Sequence, residues 1–234
     1  MLTLNLNNKT HVFISDIHFF HKNIMRFEPI RMRFTEQDKD FFEDETIDRN
    51  EVNNELKAID NNIMNWLTFQ LQLINMDTPI ETIYFWGDFF FNFNKSKFEK
   101  LNYDFSKIEE FMEKLPGKKV LILGNHDDTQ FLDWYEKMFD EIKKYEIFKH
   151  EDKNIMFLVS HYPLGDFERE DNVPKLKSEK VLAKIDKELV ENYYTKNTQN
   201  IKIVNIHWHT HSKSPVKPLD WVEYVNMSIE NFLS

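Results

Sequence analysis

Histidines and acidic side chains follow five apolar runs of the sequence. Each apolar run is followed directly by a polar segment: "HVFIS" by "DIHFFH", "TIYFW" by "GDFF", "KVLIL" by "GNHDD", "IMFLVS" by "HYPLGD" and "IKIVNI" by "HWHTH". Carboxylate, imidazole and amide oxygen together suit divalent ions such as Mn²⁺, Fe²⁺, Ni²⁺, Co²⁺ or Zn²⁺. If these clusters meet in the fold, they form a metal site.

The candidate ligands are spaced so that they can share ions. Residues i and i+2 of an extended segment point the same way, so Asp16 and His18 can reach one ion. The same spacing serves His209 and His211, although two ions could take one each. Taken singly, these residues have structural explanations, for example a helix cap at Asn125. The five clusters occurring together favour metal binding.

The apolar runs predict the elements that would position these clusters. Strands are predicted at 11–15, 82–86, 119–123, 155–160 and 201–206, and helices at 51–71, 106–115, 129–142 and 178–194. The alternation indicates an α/β fold, with a mixed sheet covered by helices. Ligands bind beyond the carboxyl ends of strands in such sheets, which is where the five clusters fall. Residues 221–232 predict one or two further strands, and residues 35–50 a surface loop or short helix.

Composition narrows the classes of function. With 41% hydrophobic residues and 22 phenylalanines we expect one domain over residues 1–234 with a sizeable core. The absence of cysteine excludes disulfides, thiolate metal sites and a cysteine nucleophile. A net charge of -10 argues against stable, non-specific nucleic-acid binding, yet it allows a nucleotide held by metal ions.

The sequence also gives expectations about the cellular setting. No run reaches transmembrane length and the start lacks a signal-peptide pattern, so we expect a cytoplasmic protein with no membrane partner. The abundance of Asn, Lys, Ile and Phe would suit an AT-rich genome. A phage is one such source, in which case the compartment would be the host cytoplasm.

The order D-x-H, G-D, G-N-H-D, H and H-x-H resembles the motifs of the calcineurin-like metallophosphoesterase superfamily. The segments "SDIHFFHKNI", "WGDFF", "LPGKKVLILGNHDD", "SHYPL" and "NIHWHTHS" are similar to a subgroup of small bacterial and phage phosphoesterases. The resemblance runs from Val12 to about Phe232, with insertions near 35–80 and 166–200. It implies two mixed β-sheets packed as a sandwich and flanked by helices.

The resemblance also implies a centre of two divalent metal ions, for which we expect Mn²⁺. It implies one ion held by Asp16, His18 and His211, a second held by Asn125, His161 and His209, and a bridging carboxylate from Asp88. His126 would lie near the phosphate as leaving-group acid or charge stabiliser, and Asp127 would position the loop.

Such a centre implies phosphoester hydrolysis. Two ions about 3.5–4 Å apart clamp a phosphate and activate a bridging hydroxide for in-line attack. We expect a small, nucleotide-type ester as substrate, and a diester more than a monoester. The alternatives are a DNA or RNA nuclease and a catalytically idle metal-binding or interaction protein on the same fold.

Two positions depart from the family pattern and bear on the substrate. Phe20 and Trp208 stand where the family usually has glycine. Trp208 is either strained, if the backbone has a positive φ, or covers the site and stacks a ring. His21, Arg26 and Arg31 are the further candidate substrate contacts. Residues 166–200 predict an exposed helix, with a substrate lid as the alternative.

Overall fold

The computed structural model describes residues 1–15, 17–22, 25, 29–90, 104–124, 127, 132–150, 154–161, 202–207 and 222–226. The strands in these ranges are β1 (Leu2–Leu6), β2 (Lys9–Ser15), β3 (Ile80–Trp86), β4 (Lys118–Ile122), β5 (Glu141–Lys143), β6 (Tyr145–His150), β7 (Ile155–Ser160), β8 (Lys202–His207) and β9 (Val222–Asn226). The helices are α1 (Lys39–Glu43), α2 (Arg49–Asp77), α3 (Ser106–Lys114) and α4 (Leu132–Met138), with a 3-10 helix at Pro29–Phe34. None of these helices is long and apolar enough to span a bilayer.

The strands form two mixed sheets. The first has the order β1-β2-β3-β4-β5, in which β1 is antiparallel to β2 and the other neighbours are parallel. The second has the order β6-β7-β8-β9, in which only β6 and β7 are antiparallel. Two mixed sheets with helices confirm the predicted fold class.

The inner strands of the first sheet are buried on both faces. Along β2, Val12 and Ile14 face the core shared with the helices, whereas Phe13 faces the core between the sheets. The same alternation recurs in β3 and β4, and Val159 and Ile206 close the inter-sheet core from the second sheet. Burial on both faces is why these strands are continuous apolar runs in the sequence.

The long helix α2 packs against the first sheet. Its buried side chains recur at helical spacing and include Val52, Leu56, Ile63, Leu67 and Leu71. The carboxylate of Asp48 caps its N-terminus by accepting a hydrogen bond from the backbone N–H of Asn50 at 2.8 Å. The sequence predicts a shorter helix, 51–71, because beyond it Leu73 and Met76 lie outside the apolar stripe that the core buries.

The helix predicted over 129–142 is wrong at its C-terminal end. α4 ends at Met138, and Glu141–Lys143 is the edge strand β5, which pairs with β4. Asp140 lies between the end of α4 and the start of β5. Its backbone N–H donates to the carbonyl of Lys119 at 2.8 Å, and its carboxylate accepts from the N–H of Lys119 at 2.7 Å. These two bonds dock the chain beside β4.

β1 is absent from the sequence-based prediction although the sequence carries its signal. Leucines at 2, 4 and 6 alternate with polar residues, and Asn7-Asn8 follows with φ of 52° and 63°. Two successive positive φ values define the type I′ turn that closes two-residue hairpins. The helix predicted over 178–194, and the rest of the segment 166–200, lie outside the described residues.

Candidate metal centre

Loops at the carboxyl ends of β2, β3 and β7 converge on one place. His18 and Asp88 lie in the loops after β2 and β3, and His161 directly follows β7. The first two loops continue the pairing of their strands: the N–H of His18 donates to the carbonyl of Asp88 at 2.9 Å, and that of Phe19 donates to Phe89 at 3.1 Å. Main-chain bonds therefore fix the two loops relative to each other.

The carboxylate of Asp88 lies between two imidazoles. Its Oδ2 is 3.5 Å from Nε2 of His18 and 3.6 Å from Nε2 of His161. The exposed fractions are 5% for His18, 3% for Asp88 and 1% for His161. One buried carboxylate oxygen thus faces two imidazole nitrogens, an arrangement suited to a carboxylate shared between two cations.

Two glycines leave the space that this arrangement needs. Gly87 has a φ of 67°, and a Cβ placed on it would lie 2.7 Å from Cε1 of His161. A Cβ on Gly124 would lie 2.5 Å from the backbone nitrogen of Asp88. Any side chain at either position would push a candidate ligand out of place.

The loops that carry the candidate ligands contain strained backbone. His18, Phe20 and Asp88 have φ values of 48°, 59° and 48°, in the left-handed region that non-glycine residues rarely adopt. Each such residue costs about 1 kcal/mol or more, and such strain concentrates at functional sites. At Phe20, where the resemblance leads one to expect glycine, the backbone keeps a conformation that favours glycine while the ring is buried, 8% exposed.

A buried acid and a buried base hold the loop of His18. The carboxylate of Asp60, in α2, accepts a hydrogen bond from the N–H of Phe20 at 3.0 Å. Nη1 of Arg31 donates to the carbonyl of Ile17 at 2.6 Å, and Arg31 is only 4% exposed. Asp60 is absent from the sequence-based prediction, although an acidic residue between Ile59 and the other buried residues of α2 is a signal that could identify it.

Asp127 binds the main chain around the candidate ligands. Its carboxylate accepts from the N–H groups of Phe89 at 3.0 Å and Gly124 at 2.8 Å, and from the hydroxyl of Tyr135 at 3.2 Å. Burial, followed by the negative charge of Asp88, raises the pKa of Asp127. These bonds agree with the loop-positioning role predicted for it.

Two further histidines lie close to the candidate ligands. The ring of His21 is 5.4 Å from that of His18, and His21 is 7% exposed. His207, at the end of β8, is fully buried. Burial, followed by the charge of His161, lowers the pKa of His207 to about 4, so its ring is neutral at neutral pH.

The other candidate residues lie outside the described residues, and their placement stays a prediction. They are Asp16, Arg26, Asn125, His126, Trp208, His209 and His211. Within the described part of the chain, no group of three or more His, Asp or Glu side chains has the geometry to hold a metal ion. The described residues therefore supply one part of the predicted ligand set, centred on Asp88.

Comparison with known protein families identifies the family of the chain. The sequence model of the calcineurin-like phosphoesterases matches residues 10–227, which contain β3 to β9 and all of β2 except Lys9. The chain belongs to the calcineurin-like phosphoesterase family. A search of the curated proteins found no match. The family is one of metal-dependent hydrolases of phosphoric esters, and its members typically use two divalent ions.

The described residues match, in chemical type, the metal ions that a calcineurin-like phosphoesterase uses, although by themselves they do not complete a site. The donor set of two imidazoles and one carboxylate matches divalent transition metals, and the nitrogens face a shared oxygen. Gly87 and Gly124 allow backbone to approach the donors closely. Asp60, Arg31 and Asp127 supply the outer support that metal sites require.

Proposed function

We propose that the chain is a binuclear metal-dependent phosphodiesterase that hydrolyses a small, nucleotide-type phosphate ester. The observation that supports it most directly is the buried Asp88 carboxylate, whose Oδ2 lies 3.5 Å and 3.6 Å from the Nε2 atoms of His18 and His161. Family membership supports phosphoester hydrolysis. The preference for diesters and for nucleotides is the part that we add.

The proposed division of labour follows the order of the family motifs. Asp16, His18 and His211 would hold one ion, Asn125, His161 and His209 would hold the second, and Asp88 would be shared between them. Two divalent cations, for which we propose Mn²⁺, would supply charge stabilisation for the phosphate and lower the pKa of a water molecule. His126 lies beside the phosphate and gives a proton to the leaving oxygen or stabilises its charge.

The burial of the centre determines how the chain's own residues assist. Asp88, His18 and His161 are almost free of solvent contact, so charges interact there more strongly than in water. The hydrogen bonds that Asp60 and Asp127 accept from the main chain hold the strained loops of the ligands before substrate arrives. A preorganised site spends little free energy on rearrangement in the transition state.

The contacts of Arg31 and Arg33, which follow the first motif in the sequence, support a diester, which carries one negative charge where a monoester carries up to two. Arg31 donates to the carbonyl of Ile17, and the guanidinium of Arg33 lies over the rings of Phe34 and Trp66. Both arginines are thus engaged with the protein. Because both guanidinium groups already have partners within the protein, they would neutralise little of the second negative charge of a monoester.

The test compares hydrolysis of bis-p-nitrophenyl phosphate and p-nitrophenyl phosphate after chelation and addition of Mn²⁺. We expect Mn²⁺-dependent turnover that is faster for the diester. Loss of a ligand removes several kcal/mol of charge stabilisation, so His161→Ala should lower the rate roughly 100-fold or more. Asn125→Ala and His126→Ala should also lose the activity.

His150→Ala is the matched control. His150 pairs with Ile155 at the end of the β6–β7 ladder opposite to His161, so its loss should leave turnover unchanged. Faster hydrolysis of the monoester would contradict the diester preference alone. Absence of turnover with both esters, while two ions are bound, would contradict the proposed function and favour a binding protein.

A further inference from the structure

The C-terminal half of α2 carries large apolar side chains on its outer face. Phe69 is 56% exposed, Leu73 46% and Met76 84%, and Trp66 is partly buried beside them. Their spacing of three, four and three residues forms one stripe along the helix, separate from the buried stripe that contains Leu71. We call Trp66, Phe69, Leu73 and Met76 the outer stripe.

The outer stripe lies in a region without charge. No Asp, Glu, Lys or Arg occurs from residue 61 to residue 76, although 30% of the chain is charged. Contiguous exposed apolar side chains mark interaction sites. Interface cores are depleted of charge and enriched in aromatic residues and methionine, which is the composition of this stripe.

The spacing of the outer stripe is symmetric about residue 71. Suppose that two α2 helices meet antiparallel and that the two-fold axis crosses them at the level of residue 71. Trp66 then faces Met76 of the second copy, and Phe69 faces Leu73. A two-fold interface must be self-complementary in this way, because each residue i that meets j is matched by j meeting i. We propose that the outer stripe is the interface of an antiparallel homodimer.

A surface cavity could receive the side chain of Met76, the most exposed residue of the outer stripe. It has a volume of about 560 Å³ and lies between the end of the 3-10 helix and α2, where Trp66, Asn62, Phe34 and Arg33 line it. In the proposed register, Met76 of the second copy enters at Trp66. Methionine is flexible and its sulfur packs favourably against aromatic rings.

Each end of the stripe offers one pair of opposite charges, beside a cavity that Glu36 and Glu55 also line. The guanidinium of Arg33 lies 5.0 Å from the ring centroid of Trp66, and the exposed Asp77 directly follows Met76. The antiparallel register therefore brings Asp77 of the second copy beside Arg33 at each end. With a net charge of -10 two copies repel each other, so an uncharged stripe closed by opposite charges is a favourable place for contact.

The absence of cysteine allows a clean cross-linking test of the register. In the proposed dimer, Phe69→Cys combined with Leu73→Cys places each new thiol opposite its counterpart in the second copy, so oxidation should give a covalent dimer. Phe69→Cys alone should cross-link far less. Equally efficient cross-linking by the single variant would show a parallel contact and overturn the proposed register.

Sedimentation equilibrium of the full chain tests association itself. We expect a concentration-dependent dimer whose dissociation constant rises at least tenfold in Met76→Glu, while Asn54→Glu, at another exposed position of α2, leaves it unchanged. Arg33→Asp should weaken the dimer, and adding Asp77→Arg should restore it. A wild-type chain that stays monomeric at about 100 μM would overturn the proposal. Equal effects of Met76→Glu and Asn54→Glu on the dissociation constant would overturn it as well.

Discussion

Residues that bind no metal decide where the candidate ligands stand. Gly87 and Gly124 leave room for His161 and Asp88, while Asp60 and Asp127 hold the main chain on either side. Residue types and their resemblance to the family motifs predicted the candidate ligands, of which the structure places His18, Asp88 and His161 together. The sequence predicted that Asp127 positions the loop, but the partner atoms of Asp60 and Asp127 depend on distances between remote segments and could not be read from it.

The close approach at Gly87 leads to the first prediction. Gly87→Ala should weaken Mn²⁺ binding at least tenfold and lower the free energy of unfolding by about 1–3 kcal/mol, because the new Cβ meets the ring of His161 at a positive φ. Calorimetric Mn²⁺ titration and urea unfolding measure the two effects.

Gly117→Ala is the control for backbone strain. Gly117 has a φ of 69°, and a Cβ there would approach the carbonyl of Ile80, at the start of β3. This variant should lose stability and keep its Mn²⁺ affinity. Equal Mn²⁺ affinities for the two variants would show that the contact with His161 does not matter.

The second prediction concerns the support from Asp60. Asp60→Ala leaves the buried N–H of Phe20 without its carboxylate acceptor, which should cost about 1–3 kcal/mol of stability. Because the loop of His18 loses its anchor, Mn²⁺ affinity should fall roughly 10–100-fold. Asn75→Ala removes a comparable bond, from the N–H of Ile80 at 2.9 Å, and should leave Mn²⁺ affinity intact. If both variants bind Mn²⁺ like wild type, Asp60 has no positioning role.

At the scale of elements, burial on both faces made the central strands predictable. β7 spans Ile155–Ser160 as predicted, and β3, β4 and β8 differ from their predictions by one or two residues. The strands that the sequence prediction missed or misassigned lie at sheet edges. In the described part of the chain β1, β5 and β6 each pair with one neighbour, so their sequences carry less apolar pattern than those of inner strands.

A charged network at the adjoining edges of the two sheets gives the third prediction. Glu141 in β5 pairs with Lys118 of β4 and, at 2.6 Å, with Lys143, which also contacts Glu146 of β6. The hydrogen bond from Lys118, followed by that from Lys143, lowers the pKa of Glu141 to about 2. The folded state therefore holds its proton less tightly than the unfolded state does.

A depressed folded pKa adds stability above the unfolded value of 4.5, and this stability is lost as the pH falls towards 2. Glu141→Gln should therefore destabilise the protein at pH 7 by no more than about 1 kcal/mol, since solvent screens the pair. The difference from wild type should shrink at pH 3 in urea unfolding. A difference that is unchanged or larger at pH 3 would contradict this account.

At the scale of the whole molecule, the predicted metal centre links several loops that are distant in sequence. A ligand that binds only the folded state stabilises it by about 2.7 kcal/mol at a concentration of 100 times Kd. For a chain of 234 residues we expect saturating Mn²⁺ to raise the Tm of the chelated protein by about 5–10 °C. His161→Ala should reduce this rise and His150→Ala should not. A Tm that does not change when Mn²⁺ is added would argue against a metal centre that links these loops.

The central claim is that two divalent ions around Asp88 make this chain hydrolyse phosphodiesters. The most direct measurement adds Mn²⁺ back to chelated protein while following bound metal and bis-p-nitrophenyl phosphate hydrolysis in the same samples. We expect no turnover without metal and a rate that levels off at two ions per chain. Turnover that survives chelation, or two bound ions with no hydrolysis, would contradict it.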